Sequence, residues 1–337
     1  MNMSYEQMVE LASSGLVAAG IGEKAAFETA QFLSLAELDG LASHGLARVS
    51  QYAGHAKNGR IELAPKIKVR PFKTSAALVD ACDGLAFPAL RFATDLSVNL
   101  ASKTGVGLVA VTNSHHFGVA GHYAEAAARA GYISLLFGNT PAAMPMVGGS
   151  KAMFGTNPLA AAFPVQGHEP LVIDMSLSAV ARGKLLVAAK KGESIPEGWA
   201  LTADGKPTTD PQEGLKGLMV PLGGDKGALL ALIVELLVVG LSGSRFSYEA
   251  DSFFDAKGNR PRIGQLLLTI DPGLSGGNVF AGRMRDFLKE LSADSGTRIP
   301  GERRFKQRAS GFKGGVNVSE VVVGEIQTGI RQSWSNS

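Results

Sequence analysis

Apolar residues recur at helical spacing through the first sixty residues of the chain. The first run opens at Ser4, which forms with Gln7 the S-x-x-Q sequence typical of a capping box. This pattern predicts a helix that ends near residues 20–22, and the same spacing predicts helices over 23–38 and 45–59. The N-terminal segment is therefore predicted to be all-helical.

Beyond residue 65, short apolar runs alternate with helical patterns. Strands are predicted over 67–69, 76–79, 107–112, 132–137, 160–163, 171–173 and 263–270. Helices are predicted over 86–102, 119–130, 180–190, 228–241, 279–292 and 319–332. Because strands and helices alternate, this part of the chain should form a sheet covered by helices.

The predicted fold class is α+β, or mixed α/β, with a sheet domain inserted between helical segments from the two chain ends. The helical domain would comprise residues 1–70 and 300–337, and the sheet domain residues 71–299. Residues 138–158 and 193–217 show no periodicity, so we expect long loops there. The strongly apolar helix that precedes Ser242 is expected to be buried in the core.

Composition and charge narrow the range of functions. The chain has 337 residues, of which 45% are hydrophobic, and its formal net charge of +3 gives no field that would attract nucleic acid or an anionic membrane. A single cysteine, Cys82, fits a reducing compartment, and the N-terminus lacks the pattern of a secretory signal. The most apolar window, 228–241, is too short to cross a bilayer. We therefore expect a cytoplasmic protein without nucleic-acid or membrane partners.

Three chemically active side chains stand at a break between two predicted helices. Ser43 and His44 follow the break, and Arg48 lies four residues after the histidine. Histidine transfers protons near neutral pH, and arginine forms planar pairs with carboxylates. The segment therefore indicates a proton donor beside an anion clamp, and a capped helix with a solvated arginine is the alternative.

Several glycine-rich segments resemble nucleotide-binding or catalytic motifs. Gly105-Val106-Gly107 follows a helix and opens a strand, the reverse of a Rossmann fingerprint, so any nicotinamide cofactor would have to be held differently. Residues 113–118 and 223–227 precede helices, where free backbone amides favour an anion such as a pyrophosphate, with ordinary helix capping as the alternative. Residues 273–277 match G-x-S-x-G, but every histidine precedes them, so a glycine-rich turn is favoured over a hydrolase.

Two further clusters could bind ions. His115, His116 and His122 have no carboxylate or thiol at the spacing of a zinc motif, so no metal is predicted. The basic run over 301–308 indicates either a solvated face or a clamp on the 2′-phosphate of NADP.

Taken in order, six segments resemble the malate/L-lactate/sulfolactate dehydrogenase family, a group outside the Rossmann fold that includes the Δ1-pyrroline-2-carboxylate and Δ1-piperideine-2-carboxylate reductases. The segments are ASHGLAR at 42–48, NSHHFGVAGHYAE at 113–125, GTNPLAAAFP at 155–164, DMSLSAVARGK at 174–184, IPEGWAL at 195–201 and PGERR at 300–304. The resemblance covers nearly the whole chain. It implies a homodimer with a helical domain made from both chain ends and an NAD(P)-binding sheet domain.

The resemblance also implies roles for individual residues. His44 would be the catalytic proton donor with Ser43 beside it, and Arg48 and Thr156 would hold the substrate. The cofactor would contact His116, Phe117, Gly118, Val119, Ala120, Asp174, Met175, Ser176, Arg182, Gly183, Asp225, Lys226, Arg303, Arg304 and Lys306. Lys184 stands where some ketimine reductases of the family carry a relay aspartate, so that relay does not carry over whole.

The predicted reaction uses NADPH, with NADH as the alternative, and reduces a C=O or C=N bond next to a carboxylate. A cyclic imine can enter already protonated and depends less on a complete relay, which favours a ketimine reductase that makes L-proline or L-pipecolate from a small cyclic ketimine carboxylate. The alternatives are a malate- or lactate-type 2-hydroxy acid dehydrogenase and a ligand-binding protein without catalysis.

Overall fold

A computed structural model describes residues 1–274 and 279–334 of the chain. The helices are α1 (Tyr5–Ala18), α2 (Glu23–Leu38), α3 (Arg48–Lys57), α4 (Ala86–Thr104), α5 (Ala120–Arg129), α6 (Arg182–Lys191), α7 (Pro211–Lys216), α8 (Asp225–Ser242), α9 (Val279–Ala293), α10 (Glu302–Gly314) and α11 (Glu320–Gln332). The strands are β1 (Asn2–Met3), β2 (Lys68–Lys73), β3 (Ala76–Asp80), β4 (Val106–Ser114), β5 (Ile133–Gly138), β6 (Met144–Pro145), β7 (Ala152–Phe154), β8 (Leu159–Phe163), β9 (Leu171–Met175), β10 (Ala200–Leu201), β11 (Pro207–Thr208), β12 (Leu218–Met219), β13 (Ile263–Ile270) and β14 (Val316–Asn317).

The two chain ends pack against each other. The predicted capping box is present at α1, because the Gln7 amide donates to Ser4 Oγ while the Gln7 side chain accepts from the Ser4 amide. Helix α1 packs against α2, α3 and α11, and β1 pairs with β14. Helices from both termini therefore form one layer, as the predicted fold class requires. The limits of the two domains stay a prediction.

A mixed sheet of seven strands forms the centre of the described structure, in the order β2-β3-β4-β13-β5-β8-β9. Strands β3 and β4 are parallel, and the other neighbours are antiparallel. Successive side chains of a strand point to opposite faces. Val109 and Val111 accordingly belong to the core that includes α4 and α5, whereas Leu108 and Ala110 belong to the core beneath α8. The predicted fold class, a mixed sheet covered by helices, is confirmed.

Three segments are more ordered than the sequence predicted. Within residues 138–158, β6 and β7 pair with each other. Within residues 193–217, β10 pairs with β11, and β12, which follows directly after that range, completes a small sheet. These strands have only two or three residues, too few for an alternating pattern to show in the sequence. The basic run over 301–308 lies in α10, which was not predicted because this helix buries only Gly311 and so has no apolar periodicity.

Helix α8 has two apolar faces, and the core covers only one of them. Ala231, Val234 and Val238 are fully buried against the sheet. The outer stripe is between 38% and 55% exposed and consists of Leu229, Ile233, Leu236, Leu237 and Leu241. The prediction of a buried core helix was therefore wrong for the outer face. Hydropathy alone does not say whether the same chain covers an apolar face.

Two other predictions concern membranes and the G-x-S-x-G sequence. Throughout residues 1–274 and 279–334, every helix falls short of the length and apolar character that a bilayer span needs. Of the G-x-S-x-G sequence, residues 275–277 lie outside the described residues.

Candidate active site

A cavity of about 720 Å³ collects most of the predicted site residues. It lies where several connections meet: the turn after α2, the start of α5, the link from β9 to α6, and residues 140–143, 250–254 and 298–304. Its wall is therefore built largely from loops and helix ends, the parts of a fold that most often carry binding and catalytic groups.

The turn between α2 and α3 is fixed by close packing. Residues 42–44 form one 3-10 turn, and a Cβ atom on Gly45 would stand only 2.2 Å from Glu37 Oε1. Glycine is therefore needed at this position, where Glu37 accepts a hydrogen bond from the Leu46 amide at 2.8 Å. This contact anchors the turn to α2 and sets the position of His44.

Ser43, His44 and Arg48 form a hydrogen-bonded group on the cavity wall. The Ser43 hydroxyl lies 3.0 Å from His44 Nδ1, and Arg48 Nε donates to the Ser43 carbonyl oxygen at 2.7 Å. Burial, together with the charge of Arg48 and the proximity of His122, lowers the pKa of His44 to about 4. His44 is therefore neutral near pH 7.

His116 lies beside His44, and its ring is hydrogen-bonded to Tyr52. The centres of the two imidazole rings are 5.8 Å apart, and the Tyr52 hydroxyl lies 2.6 Å from His116 Nδ1. Burial and the charge of Arg48 keep the pKa of His116 well below its usual value, and burial raises the pKa of Tyr52. Both groups are therefore neutral, and their hydrogen bond fixes the orientation of the His116 ring.

Phe254 lies near two cations of the cavity wall. The guanidinium carbons of Arg48 and Arg182 each lie 5.6 Å from the centre of its ring. Gly183 brings the start of α6 close to the turn over residues 42–44, since a Cβ atom at this position would be 3.5 Å from the Ser43 Cβ. Arg182 therefore stands at the same end of the cavity as His44.

At the start of α5, a carboxylate already occupies part of the predicted anion site. Asp174 accepts a hydrogen bond from the Gly121 amide at 2.8 Å, and Arg304 Nη1 lies 3.8 Å from the same carboxylate. Burial raises the pKa of Asp174, and it outweighs the opposing effects of the Gly121 amide and Arg304. Helix capping, the alternative considered for this segment, thus applies to the Gly121 amide.

A buried ion network underlies the cavity at Asp39. This carboxylate accepts from His122 Nε2 at 2.8 Å and from Arg308 Nε at 2.7 Å. Arg308 also pairs with Glu125 at 2.5 Å. Although burial opposes it, hydrogen bonding from Arg308 and His122 lowers the pKa of Asp39. The network joins α2 and α10, from opposite ends of the chain, to α5.

The basic residues of α10 differ in position. Arg304 is largely buried and faces two carboxylates, and Lys306 pairs with a glutamate of the same helix on the outer surface. Arg303 is exposed and lines the cavity, as does Arg298 just before the helix. Within the described residues, Arg298 and Arg303 form no ion pair, so they are the rim cations that a phosphate could contact.

The cavity unites most, but not all, of the predicted residues. Those on its wall are Ser43, His44, Arg48, His116, Phe117, Gly118, Val119, Ala120, Thr156, Asp174, Met175, Ser176, Arg182, Gly183, Arg303 and Arg304. Asp225, Lys226 and Lys306 are not on the wall, and the first two are exposed at the start of α8. The roles given to all these residues stay predictions.

Sequence reasoning missed two parts of the wall, residues 250–254 and Arg298. Phe253 and Phe254 are adjacent aromatic residues in a segment without periodicity. An aromatic pair in a polar loop was the available signal, because loops supply many binding residues. Arg298 lies just outside the basic run that was considered.

Lys184 does not stand in for a relay aspartate. Its ammonium lies 5.5 Å from the centre of the Trp199 ring, and the residue is exposed rather than on the cavity wall. This contact is a cation–π interaction with the small sheet. His44 therefore has Ser43 as its hydrogen-bond partner and receives none from Lys184.

The clustered histidines bind one another and nearby side chains. His115 Nε2 lies 3.0 Å from His55 Nδ1, and both residues are buried. In the part of the chain that the structure describes, no group of three or more histidine, cysteine, aspartate or glutamate side chains is arranged to hold a metal ion.

Comparison with known proteins shows which chains this one resembles. A family model described as malate/L-lactate dehydrogenase matches residues 3–327. The chain is 43% identical to a (2R)-3-sulfolactate dehydrogenase (NADP(+)) of Chromohalobacter salexigens, over 96% of this chain and 97% of the relative. It is 38% identical to a Δ(1)-pyrroline-2-carboxylate/Δ(1)-piperideine-2-carboxylate reductase of Pseudomonas putida, over 89% of each. The solved structure of Δ1-piperideine-2-carboxylate reductase from Pseudomonas syringae matches with a TM-score of 0.92 at 34% identity, covering 97% of this chain and 99% of that one.

Proposed function

The chain belongs to the malate/L-lactate dehydrogenase family, and from that premise we propose that it reduces a C=O or C=N bond next to a carboxylate with NADPH. Membership makes it an oxidoreductase. The observation that carries the proposal is the pairing of His44 with Arg48 on the wall of one cavity. A proton donor beside a carboxylate clamp is the arrangement that this reduction needs.

The cavity fits a nicotinamide cofactor. Its volume of about 720 Å³ is within the range of small-molecule and cofactor sites. The N-cap residue of α5, Val119, provides no side-chain hydrogen bond, and Arg298 and Arg303 stand at the rim. We assign NADPH to this region, with NADH as a weaker donor, because a relative at 43% identity is named as an NADP(+) enzyme. When bound, the cofactor supplies the hydride.

The protein would supply orientation and a proton. Arg48 binds the substrate carboxylate and so fixes which face of the reacting carbon is presented. Burial is the main cause of the low pKa of His44, and the charge of Arg48 is the second. A carboxylate bound to Arg48 offsets the second cause, which raises the pKa of His44 and favours uptake of a proton. His44 then donates it to the substrate oxygen or nitrogen as negative charge develops there. Ser43 holds His44 Nδ1, which leaves Nε2 for the substrate. Thr156, also on the wall, would contact the bound acid.

Two substrate classes are consistent with this chemistry. Relatives named as cyclic imine reductases, at 38% and 34% identity, support the reduction of a small cyclic ketimine carboxylate to L-proline or L-pipecolate, a step of proline metabolism. The relative at 43% identity supports a 2-oxo acid substrate and a 2-hydroxy acid product. A ligand-binding protein without catalysis is the alternative from another class.

The deciding experiment follows NADPH and NADH absorbance with several acids in parallel. The acids are Δ1-pyrroline-2-carboxylate, Δ1-piperideine-2-carboxylate, pyruvate, oxaloacetate and 3-sulfopyruvate. Turnover of at least one, faster with NADPH, supports the proposal. Turnover of only the oxo acids removes the ketimine class. If neither NADPH nor NADH binds in a fluorescence titration, a ligand-binding protein without catalysis would be favoured.

We also propose that the protein acts in the cytoplasm as a homodimer. The exposed apolar stripe of α8 supports the second part, because contiguous apolar surface on a soluble chain marks a place of association. In a two-fold dimer the same stripe on each subunit would meet. This contact would also bury the start of α8, where the predicted cofactor residues Asp225 and Lys226 lie exposed in the single chain.

A further inference from the structure

Glu235 is a carboxylate buried on the inner face of α8, with only 1% of the residue exposed. Its Oε1 accepts from the Ser247 amide at 2.6 Å, and its Oε2 accepts from the Ser247 hydroxyl at 2.7 Å and from Asn157 Nδ2 at 2.9 Å. Ser247 and Asn157 are themselves fully buried. Burying a carboxylate is costly unless donors surround it, so Glu235 fixes the positions of the groups that it binds.

Through Asn157, Glu235 holds the segment that carries Thr156. Asn157 Nδ2 also donates to the Ala231 carbonyl oxygen of α8 at 3.1 Å, so its side chain is tied to this helix at two points. The backbone φ of Asn157 is +32°, which a residue with a side chain seldom adopts, so these contacts must maintain it. Thr156 lies on the cavity wall, and its amide donates to the Thr140 hydroxyl at 3.0 Å.

Through Ser247, Glu235 supports two further parts of the wall. The Ser247 carbonyl oxygen accepts from the Ala142 amide at 2.9 Å, which fixes the loop over 140–143. Ser247 also begins the 3-10 turn that leads into residues 250–254. Three separate segments of the cavity wall therefore share one buried carboxylate as their common support.

The proton donor is supported by a different part of the chain. His44 and Arg48 belong to the turn between α2 and α3, which Glu37 anchors through the Leu46 amide. Loosening the segments that Glu235 supports would therefore act first on how the acid is held, and less on how the proton is delivered.

We propose that Glu235 is a positioning residue for the substrate, because it fixes Thr156 against the loop over 140–143 at the place where Thr156 contacts the bound acid. This inference rests on the proposed function, which supplies the acid. Glu235 is not on the cavity wall and does not touch the acid itself. Its effect passes through Asn157 and Ser247 to Thr156.

The first test replaces the carboxylate with an amide of the same shape. Whichever way the amide of Glu235→Gln turns, its NH2 group faces a former donor, either Asn157 Nδ2 or the Ser247 amide. We expect KM for the best acid substrate to rise about 10- to 100-fold, because a misplacement of about 1 Å can cost about 10²-fold. The dissociation constant of oxalate from the NADPH-bound protein should rise by a similar factor. Neither kcat nor the dissociation constant of NADPH should change more than about threefold.

Asp83→Asn is the matched control, because it makes the same chemical change at another carboxylate. Asp83 accepts hydrogen bonds from Arg260 and Arg262 and is not on the cavity wall. This variant should lose thermal stability but keep the wild-type KM for the acid and the wild-type dissociation constant of oxalate. Thermal unfolding of both variants therefore separates a general loss of stability from a loss of positioning.

A double-variant cycle with Thr156→Val tests whether the effect passes through Thr156. If Glu235 acts by placing Thr156, adding Glu235→Gln to Thr156→Val should raise KM much less than Glu235→Gln does alone. Should Glu235→Gln fail to fold, Ser247→Ala removes only one of the three donors and should raise KM in the same direction by a smaller factor.

Several outcomes would overturn the inference. These are an unchanged KM together with unchanged oxalate binding in Glu235→Gln, a loss in kcat alone, equal shifts in Asp83→Asn, or full additivity in the cycle with Thr156→Val. If no acid is turned over, the proposed function fails, while oxalate binding still decides the role of Glu235. Wild-type protein that neither turns over an acid nor binds oxalate would reject both.

Discussion

The chemistry of this site depends on how one arginine controls one histidine. Burial and the charge of Arg48 together hold the pKa of His44 near 4, far below its usual value of about 6.5. A donor with such a low pKa has no proton to give at pH 7. An anion bound by Arg48 offsets that part of the shift, so we expect substrate binding to raise the pKa of His44 and to favour proton uptake.

This coupling predicts the titration of His44. Arg48→Gln removes one of the two main causes of the shift, so the pKa of His44 should rise while burial keeps it below 6.5. Histidine-selective NMR titration would measure the value. Oxalate, which pairs with Arg48, should raise it in the wild-type protein. Arg303→Gln, at the cavity rim, is the control, and an equal rise in that variant would contradict the assignment.

A second residue-scale prediction separates two adjacent arginines. Arg303 is exposed at the rim, whereas Arg304 is largely buried and faces the buried carboxylate of Asp39 and the carboxylate of Asp174. Arg303→Gln should therefore erode the preference for NADPH over NADH, measured as the ratio of kcat/KM values, with little change in stability. Arg304→Gln should instead lower the free energy of unfolding by about 1–3 kcal/mol, because it removes a partner of buried charges. An unaltered cofactor preference in Arg303→Gln would indicate that the basic run over 301–308 is a solvated surface and does not bind the 2′-phosphate.

At the scale of elements, α8 shows the limit of hydropathy patterns. Its inner face was correctly expected in the core, but its outer stripe is exposed. The pattern predicted most of the central strands and the helices that cover them, because these elements bury continuous apolar runs. It could not predict α10, because this helix is polar and has no apolar periodicity. It also could not predict the cavity residues Phe253 and Phe254, which lie in a loop without periodicity.

The outer stripe of α8 supports a prediction about assembly. Ile233→Glu places a charge in the middle of the stripe, where desolvation would oppose association. Light scattering after gel filtration should report a dimer for the wild-type protein and a monomer for the variant. Val321→Glu, at another exposed apolar residue on α11, is the matched control and should stay dimeric. A monomeric wild-type protein would refute the homodimer.

At the scale of the whole molecule, buried histidines link stability to pH. Burial lowers the pKa of His44 and His55 to about 4, and it holds the pKa values of His115 and His116 well below the usual value. In the unfolded chain these groups take up protons below about pH 6.5, while in the native protein His44 and His55 do so only near pH 4. The native protein is therefore most stable relative to the unfolded chain above pH 6.5. This stability is lost as the pH falls toward 4.

The expected outcome is a steep loss of stability in weak acid. The free energy of unfolding in urea should fall between pH 6.5 and 4.5, by up to about 1.4 kcal/mol per pH unit for each histidine. Carboxylates with lowered pKa values, such as Asp39, act mainly below this window. His115→Leu should reduce the slope, and His168→Gln, at an exposed histidine, should preserve it. A free energy of unfolding that does not change with pH above pH 4.5 would contradict the lowered pKa values of the buried histidines.

The whole-molecule arrangement was also only partly predictable. The helical ends and the inserted sheet followed from periodicity, and the motif resemblance placed His44 and Arg48 in one site. The buried pairing of Asp39 with Arg308 joins residues 269 positions apart, and no local pattern carries such a contact. Charge pairs of this kind depend on the tertiary fold, so they appear only in the structure.

The central claim is that His44 donates the proton in a reduction that uses NADPH. The most direct measurement compares kcat of His44→Ala with that of the wild-type protein on its best acid substrate, alongside the NADPH dissociation constant of each. We expect a loss in kcat of about 10²- to 10⁴-fold with unchanged NADPH binding. An unchanged kcat would contradict it.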